Sequence, residues 1–287
     1  MKLDKLAIYL VLPLCLLQQS LAEEVSILVG VTNYQQIEKK LQLLEKENSC
    51  DQVTNFHMSR LLVETVLICQ ALRLGGIEPN FQFKEFTSYP RLLQQVTEGD
   101  IELMLDSAWL THANAEKVHI SDTLIREGEF FKGIYTTEKH ASLLSVTTIK
   151  ELKEFTAVSN QEWQADWLAL ELMQVKKHTV PRYAFMLKML NANRVDFTLA
   201  DFSPHKDLSI IKYGVRLIPV PNIKIALKGS RHILVNKGKA NGLKIYQALQ
   251  VGLKILRAKG TIARAYENSG FHNPIVKSWT VLCCQYH

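Results

Sequence analysis

The sequence predicts an α/β protein of two Rossmann-like lobes, joined by a hinge in which the chain crosses twice between the lobes. Three observations support this prediction. Short strand-like segments alternate with helical segments, which is typical of a mostly parallel sheet with helices on both faces. The alternation occurs in two successive series, and helical segments close the chain. The chain has 287 residues, which is long enough for two such lobes.

The first 22 residues have the pattern of a secretory signal peptide. A basic start precedes an apolar run over residues 6–17, and small residues surround an expected cleavage site after Ala22. The apolar run is shorter than the roughly 20 residues that a membrane-spanning helix needs. We therefore expect residues 23–287 to form an exported, periplasmic protein. Retention through a lipid anchor on Cys15 is a weaker alternative, because a bulky leucine precedes that cysteine.

The first lobe is expected over residues 23–137. Its strand segments are VSILVGVT, FQFKEF, IELML and EGEFFKGIYTT, and its helical segments are MSRLLVETVLICQALRLGG and YPRLLQQVTEG. The glycine pair that ends the first of these helices and the proline in the first turn of the second are typical helix boundaries. The charged segment QQIEKKLQLLEKEN follows the first strand and is expected on the surface.

The second lobe is expected over residues 138–226. Its helical segments are TTIKELKEF, QEWQADWLALELM and RYAFMLKMLNAN, and its strand segments are TAVSN, VKKHTV and RVDFTLADF. Residues 227–287 are expected to return to the first lobe through the strand SRHILVNK and a helix whose apolar face carries Tyr246, Leu249, Leu253 and Leu256. We expect the chain to cross between the lobes near 137–139 and again near 223–227.

Charge and cysteine content point away from nucleic-acid binding and metal binding. The formal net charge is +6, and the densest basic segments, KIALKGSR and KILRAKGTIAR, lack the interleaved aromatic residues of a nucleic-acid surface. They are expected to be solvated faces. The spacings of the four cysteines after the signal segment match no metal motif, and no cofactor is indicated. Adjacent cysteines rarely bond to each other, and the pairing stays open among Cys50, Cys69, Cys283 and Cys284.

Four segments carry a family resemblance. GDIELMLDSAWLTHANAEKVHIS is similar to G-x-V-D-L-x-I-x-G-M-T-x-T-x-E-R-x-K-x-V-x-F-S, and NRVDFTLAD to G-R-V-D-A-x-x-x-D. LKILRAKGTIARAYENSGF is similar to L-x-x-L-x-x-x-G-T-x-x-x-I-x-x-K-W, and TTIKELKEF to the helix that opens a second lobe. In this order the segments resemble the extracellular solute-binding proteins of ABC importers, of the polar-amino-acid type with the type II periplasmic binding protein fold.

The resemblance implies a ligand cleft between the lobes. Ligands of open α/β sheets bind beyond the carboxyl ends of the strands. The polar segment after IELML therefore supplies candidate ligand contacts in Asp106, Ser107, Trp109 and Asn114. Two alternatives stay open, since Trp109 could pack in the core and Asp106 could cap a helix.

Position 114 departs from the family's pattern. The resemblance implies an arginine here that grips the α-carboxylate of an amino acid through a bidentate contact, and asparagine offers neither the charge nor the fork. Arg126 is the nearest replacement in sequence, but it is expected on the surface. Asp201 lies where the resemblance implies an aspartate for the ligand's amino group. We therefore expect weak binding of ordinary amino acids and better binding of an amine-bearing or uncharged polar solute.

Three further residues complete the candidate site. Tyr34 could stack on a ligand and Asn33 could donate a hydrogen bond to it, although the segment around them is longer and more charged than the family's. Asn160 lies between a strand and a helix, where free backbone N–H groups could hold an anion. Asn160 is also a suitable helix cap.

The resemblance implies a non-catalytic, monomeric binding protein that delivers a small polar solute to a membrane permease or a sensor kinase. One alternative is a periplasmic enzyme of the same fold that resembles cyclohexadienyl dehydratase, in which Asp106 or His112 would serve as the acid. The other is a sensor or scaffold subunit whose cleft binds nothing tightly.

Overall fold

The computed structural model describes residues 22–32, 38, 50 and 59–284. Asn33, Tyr34 and most of the expected signal segment lie outside the described residues. The first part of the described chain forms β1 (Glu23–Thr32), α1 (Arg60–Leu74), β2 (Ile77–Phe86), α2 (Tyr89–Glu98), β3 (Leu103–Met104), β4 (Ala108–Trp109) and β5 (Val118–Ile125).

The middle part forms β6 (Phe131–Thr136), α3 (Ile149–Leu152), β7 (Thr156–Ser159), α4 (Gln164–Leu172), β8 (Lys176–Thr179), α5 (Tyr183–Asn191), β9 (Thr198–Ala200), β10 (Ile210–Lys212), β11 (Val215–Pro219) and β12 (Ile223–Ala226). The last part forms β13 (Arg231–Asn236), α6 (Gly242–Ala258), α7 (Thr261–Ser269) and β14 (Thr280–Val281). These elements form a mixed α/β fold, as the sequence predicts.

Local sequence explains where the helices of the first lobe begin and end. The side chain of Ser59 accepts a hydrogen bond from the Leu62 N–H and caps α1, and Gly75 ends it. Ser88 caps α2 in the same way, with a proline in the first turn. Gly99 ends α2 at a φ of 92°, a left-handed conformation that glycine adopts without a steric penalty.

Two main sheets form the two lobes. In the first sheet, β1 lies between parallel β2 and β3, while β13 runs antiparallel to β3, β4 and β5. In the second sheet, β6 pairs with β9 along one edge and with β11 and β12 along the other. The parallel pair β7 and β8 adjoins β9 through a bridge between Ala157 and Phe197.

The chain passes between the two sheets twice. It leaves the first sheet after β5 and enters the second at β6, through residues 126–130. It returns between β12 and β13, through residues 227–230. The first passage is earlier than the 137–139 expected from sequence, since β6 pairs within the second sheet. The division into lobes at 137 and 226 stays a prediction.

Close helix packing and two disulfides constrain other parts of the fold. A Cβ added to Gly252 of α6 would lie 1.9 Å from the carbonyl oxygen of Ala71 in α1, so only glycine fits at this contact. Disulfides join Cys50 to Cys69 and Cys283 to Cys284, although the sequence argued against a bond between neighbours. Within the described ranges, no helix is both long and apolar enough to cross a bilayer.

The basic segment over residues 224–231 is not a solvated face, and this expectation from the sequence is wrong. Lys224 and Arg231 at its two ends are 5% and 4% exposed. Strands β12 and β13 carry them into the interior, where each side chain contacts aromatic rings. The alternation of a strand, rather than the local charge density, decides where these cations point.

Candidate functional site

The carboxyl ends of the first sheet's parallel strands place Asp106 beside the end of β1. Thr32 donates to Asp106 Oδ2 from its backbone N–H at 3.2 Å and from its hydroxyl at 2.8 Å. The Arg60 guanidinium, at the start of α1, lies 3.8 Å from Asp106 Oδ1. Burial raises the pKa of the Asp106 carboxyl, and the charge of Arg60 and the Thr32 hydroxyl only partly oppose this effect.

The charged residues of the first lobe form a group that we call the first wall, namely Arg60, Glu64, Asp106 and Arg231. Glu64 is the fully buried carboxylate of this wall. Its Oε2 accepts from Arg60 Nη1 at 2.7 Å and from the Ser107 N–H at 2.9 Å. Its Oε1 accepts from the Ser107 hydroxyl at 2.8 Å and from the Tyr266 hydroxyl at 3.2 Å. Burial alone would raise the pKa of Glu64, but Arg60 and Arg231 outweigh it, so this pKa lies below its ordinary value.

Arg231 is the second buried cation of the first wall. Its Nε donates to the Ser107 hydroxyl at 2.8 Å, and its guanidinium lies 4.8 Å from the centre of the Trp109 ring. The Trp109 ring packs in turn on Phe130, at 5.2 Å between centroids. The backbone N–H of Trp109 donates to the Tyr89 hydroxyl at 3.3 Å. The side chains of Ser107 and Trp109 are thus held by contacts within the protein.

The second lobe has its own group of charged residues, the second wall, which consists of Lys132, Asp166 and Asp201. Lys132 of β6 lies 2.6 Å from Asp166 in the first turn of α4 and 3.7 Å from Asp201, which directly follows β9. Burial lowers the pKa of Lys132, but the two aspartates outweigh it and raise this pKa overall. Burial raises the pKa of Asp166 despite the charge of Lys132. The Asp201 side chain is 45% exposed, the most accessible group of this set.

The two charged walls influence each other across the space between the lobes. Burial lowers the pKa of Arg60. The negative charges of Glu64, Asp106 and Asp201 raise this pKa, and the net shift is upward. His112, from the first lobe, shares a hydrogen bond with the Tyr89 hydroxyl at 3.0 Å, and burial lowers its pKa overall. Ionised groups from both lobes therefore lie close enough to shift each other's pKa.

Comparisons with known proteins agree with this architecture. No family model and no curated protein sequence matches the chain. Among solved structures, the chain is similar to the probable amino-acid ABC transporter extracellular-binding protein ytmK of Bacillus subtilis. Their TM-score is 0.54 at 13% identity, over 85% of this chain and 97% of that one. It is also similar to substrate-binding domain 2 of GlnP from Lactococcus lactis, with a TM-score of 0.51 at 14% identity over 85% and 94%.

A third similar structure is a double mutant of the VFT2 domain of BvgS from Bordetella pertussis. The TM-score is 0.52 at 12% identity, over 83% of this chain and 92% of that domain. The protein has the type II periplasmic binding protein fold. At these identities the likeness shows the fold alone, and the cleft must be interpreted from this chain's own residues.

The predicted site residues fall into two groups in this fold. Asp106 lies beside Arg60 of the first lobe, and Asp201 lies beside Lys132 of the second. Asn114 is exposed in a turn, where its Oδ1 accepts from the Glu116 N–H at 3.0 Å. Asn160 is buried, and its Oδ1 accepts from the Glu162 N–H at 2.9 Å in a turn that precedes α4. The N-cap of α4 is Trp163, so Asn160 is not the cap of this helix. The roles of all these residues in ligand binding stay predictions.

Sequence reasoning missed the charges that surround Asp106 and Asp201. Signals for them exist in the sequence, since Arg60 and Glu64 are four residues apart within the apolar helix MSRLLVETV. Lys132 likewise interrupts the apolar strand FFKGIY. Ionised groups within apolar elements need a partner, so such positions are candidates for a buried cluster. In the described ranges, no group of three or more potential ligands could hold a metal ion.

Proposed function

We propose that the protein is an exported solute-binding protein that holds a small, amine-bearing polar solute between its lobes. One observation carries the proposal, namely the two charged walls that meet at the cleft. The two walls together contain four carboxylates and three cations, so their net charge is negative. The carboxylates are those of Glu64, Asp106, Asp166 and Asp201, and the cations are those of Arg60, Arg231 and Lys132.

Asp201 is the expected contact for the solute's ammonium group. It is the most exposed of these carboxylates, and its ion pair with Lys132 is long, at 3.7 Å. Asp106 is already bound by Thr32, and Asp166 by Lys132. An ammonium group that enters the cleft would therefore find Asp201 the most available acceptor.

Arg60 is the expected contact for an acceptor group of the same solute. Its Nη1 donates to Glu64, whereas its Nη2 lies 3.8 Å from Asp106, beyond the length of a hydrogen bond. A carboxylate, carbonyl or hydroxyl oxygen of the solute would fit at Nη2. Weak binding of amino acids was expected because Asn114 replaces the family's arginine. Arg60 is a cation that could bind the carboxylate of an amino acid in place of that arginine.

The proposed protein works without chemistry. A solute that contacts both walls binds the closed arrangement of the lobes better than the open one and shifts the population toward it. A membrane permease or a sensor kinase would read this shift. Export through cleavage after Ala22 would place the protein in the periplasm, where such partners present their outer surfaces.

A thermal-shift screen of the mature protein tests the proposal. The probes are putrescine, agmatine, lysine and arginine, each compared with an analogue that lacks the amine. We expect at least one amine to raise the melting temperature, its amine-free analogue to have no effect, and Asp201→Asn to abolish the rise. Asp100→Asn, at an exposed turn in the first lobe, is the matched control and should behave as the wild type. Equal stabilisation of Asp201→Asn and the wild type would refute the proposal.

A further inference from the structure

A cavity of about 980 Å³ lies beside the segments that connect the lobes. Elements of the first lobe contribute Leu124 of β5 and Tyr266 of α7, while the second sheet contributes Phe131 of β6 and Lys224 of β12. The segment after α7, which includes Trp279, closes another side. The volume is at the upper end of the range of known small-molecule sites, which is about 300–1,000 Å³.

The cavity is on the other side of the second sheet from the charged cleft. Phe131 lines the cavity, whereas its neighbour Lys132 pairs with the cleft's aspartates. Phe202 lines the cavity in the same way, next to Asp201 of the cleft. Successive residues of an extended strand point to opposite faces, so the cavity and the cleft are separate sites.

Lys224 places a buried cation at the cavity. Its Nζ donates to the carbonyl oxygens of Val276 at 2.7 Å and Lys277 at 3.1 Å, and it lies 4.4 Å from the centre of the Phe131 ring. These partners are neutral. Burial lowers the pKa of Lys224, and no carboxylate among the described residues offsets this effect. A buried cation without a carboxylate partner is costly, and an anionic ligand would remove the cost.

Two further polar atoms at the cavity lack partners among the described residues. Arg257 Nε and His272 Nε2 are both buried without a hydrogen bond, and both residues line the cavity. Burial lowers the pKa of His272, although the charge of Glu129 opposes this. In the neutral tautomer with the proton on Nδ1, the unpartnered Nε2 is an acceptor for a ligand's N–H or O–H.

The remaining lining completes a site for an aromatic anion. Rings of Phe131, Phe202, Phe271 and Trp279 supply apolar walls. The ionised side chains that face the cavity are three cations and two carboxylates, namely Lys224, Arg257, Lys277, Glu129 and Glu267. The surplus of one positive charge complements an anion.

We propose that this cavity is a second binding site, for an organic anion with an aromatic body and a hydrogen-bond donor. The anionic group contacts Lys224, the rings of the cavity wall enclose the body, and the donor reaches His272 Nε2. The ligand contacts proposed here include none of the cleft's charged residues, although Tyr266 of the cavity lining donates to Glu64.

Fluorescence titration of the folded protein with 8-anilino-1-naphthalenesulfonate tests the site, since this probe combines a sulfonate, aromatic rings and an N–H donor. N-phenyl-1-naphthylamine, which lacks the sulfonate, is the uncharged comparison. Lys224→Met removes the buried cation at similar side-chain length. Lys254→Met, at an exposed position of α6 outside the cavity, is the matched control. Ala263→Trp fills the cavity from an exposed helix position, so it keeps the test valid if Lys224→Met does not fold.

We expect one sulfonate probe per protein, with affinity about tenfold higher than that of the uncharged probe. Lys224→Met should lower the sulfonate's affinity about tenfold and leave the uncharged probe unchanged, Ala263→Trp should abolish binding of both, and Lys254→Met should match the wild type. The proposal is overturned if the wild type binds neither probe, if Lys224→Met and Lys254→Met bind the sulfonate equally, or if Ala263→Trp binds as the wild type does.

Discussion

Glu64→Gln should destabilise the protein strongly, because Glu64 is the buried anion on which the first wall of the cleft depends. Its carboxylate accepts four hydrogen bonds, two of them at 2.7 and 2.8 Å, and its side chain is 0% exposed. A glutamine keeps the shape but turns one acceptor into a donor that faces other donors. It also leaves the cations of Arg60 and Arg231 without their shared counter-charge.

The expected magnitude follows from the loss of one partner in a buried ion pair, which costs about 3–5 kcal/mol. With a urea dependence of about 2–3 kcal/mol per molar, the unfolding midpoint should fall by about 1–2.5 M. Urea unfolding at neutral pH, followed by circular dichroism, measures this shift. Glu116→Gln, at an exposed position, is the control and should change the midpoint little.

The pH dependence of the same difference provides a second check. The pKa of Glu64 in the folded protein lies below its ordinary value of 4.5, so its contribution to stability is complete above that pH. The contribution is lost as the pH falls through the lowered pKa, and wild type and Glu64→Gln should converge in acid. A variant as stable as the wild type at neutral pH would refute the reasoning about this cluster.

Three other predictions concern packing, pH and export. Gly252→Ala should lower the free energy of unfolding by about 1–3 kcal/mol or more, since the added methyl group would clash with the backbone oxygen of Ala71. Thermal unfolding measures this change, with the exposed substitution Lys254→Ala as the control. Burial holds the pKa of His272 in the folded protein below 6.5, so the unfolded chain takes up a proton first as the pH falls, and the folded state should lose stability below that pH. His272→Phe should reduce this loss, as measured by urea unfolding at pH 5 and pH 7.5. Mass spectrometry of the native protein should find a mature start at or near residue 23, and an intact start at Met1 in the cytoplasm would contradict export.

The fold could be predicted because its signals are local and repeat along the chain. The apolar periods of strands and helices, and the boundary residues at Ser88 and Gly99, act within a few residues of one another. The sheet partners of β6 could not be predicted in this way. Its segment reads as a strand by itself, but its partners β9 and β12 come far later in the chain, so the first passage between the lobes was placed too late.

The candidate site could be predicted only where a motif marks it. Asp106 and Asp201 lie at motif positions, and in the structure they lie beside the cations Arg60 and Lys132. Their role in ligand binding stays a prediction. The partners that decide their charge and accessibility come from distant positions. Ser107 meets Glu64 and Arg231 through contacts that span 43 and 124 residues. No local pattern specifies such pairs, and only the folded chain brings them together.

A calorimetric titration of Asp201→Asn with the solute that best stabilises the wild type tests the central claim most directly. Loss of a charged hydrogen-bond partner costs about 2–5 kcal/mol, and the 45% exposure of Asp201 favours the lower end. Since each 1.4 kcal/mol is about tenfold in affinity, we predict a dissociation constant about 30-fold higher than that of the wild type, with Asp100→Asn unchanged. Equal dissociation constants for Asp201→Asn and the wild type would contradict the claim that the solute binds between the two charged walls.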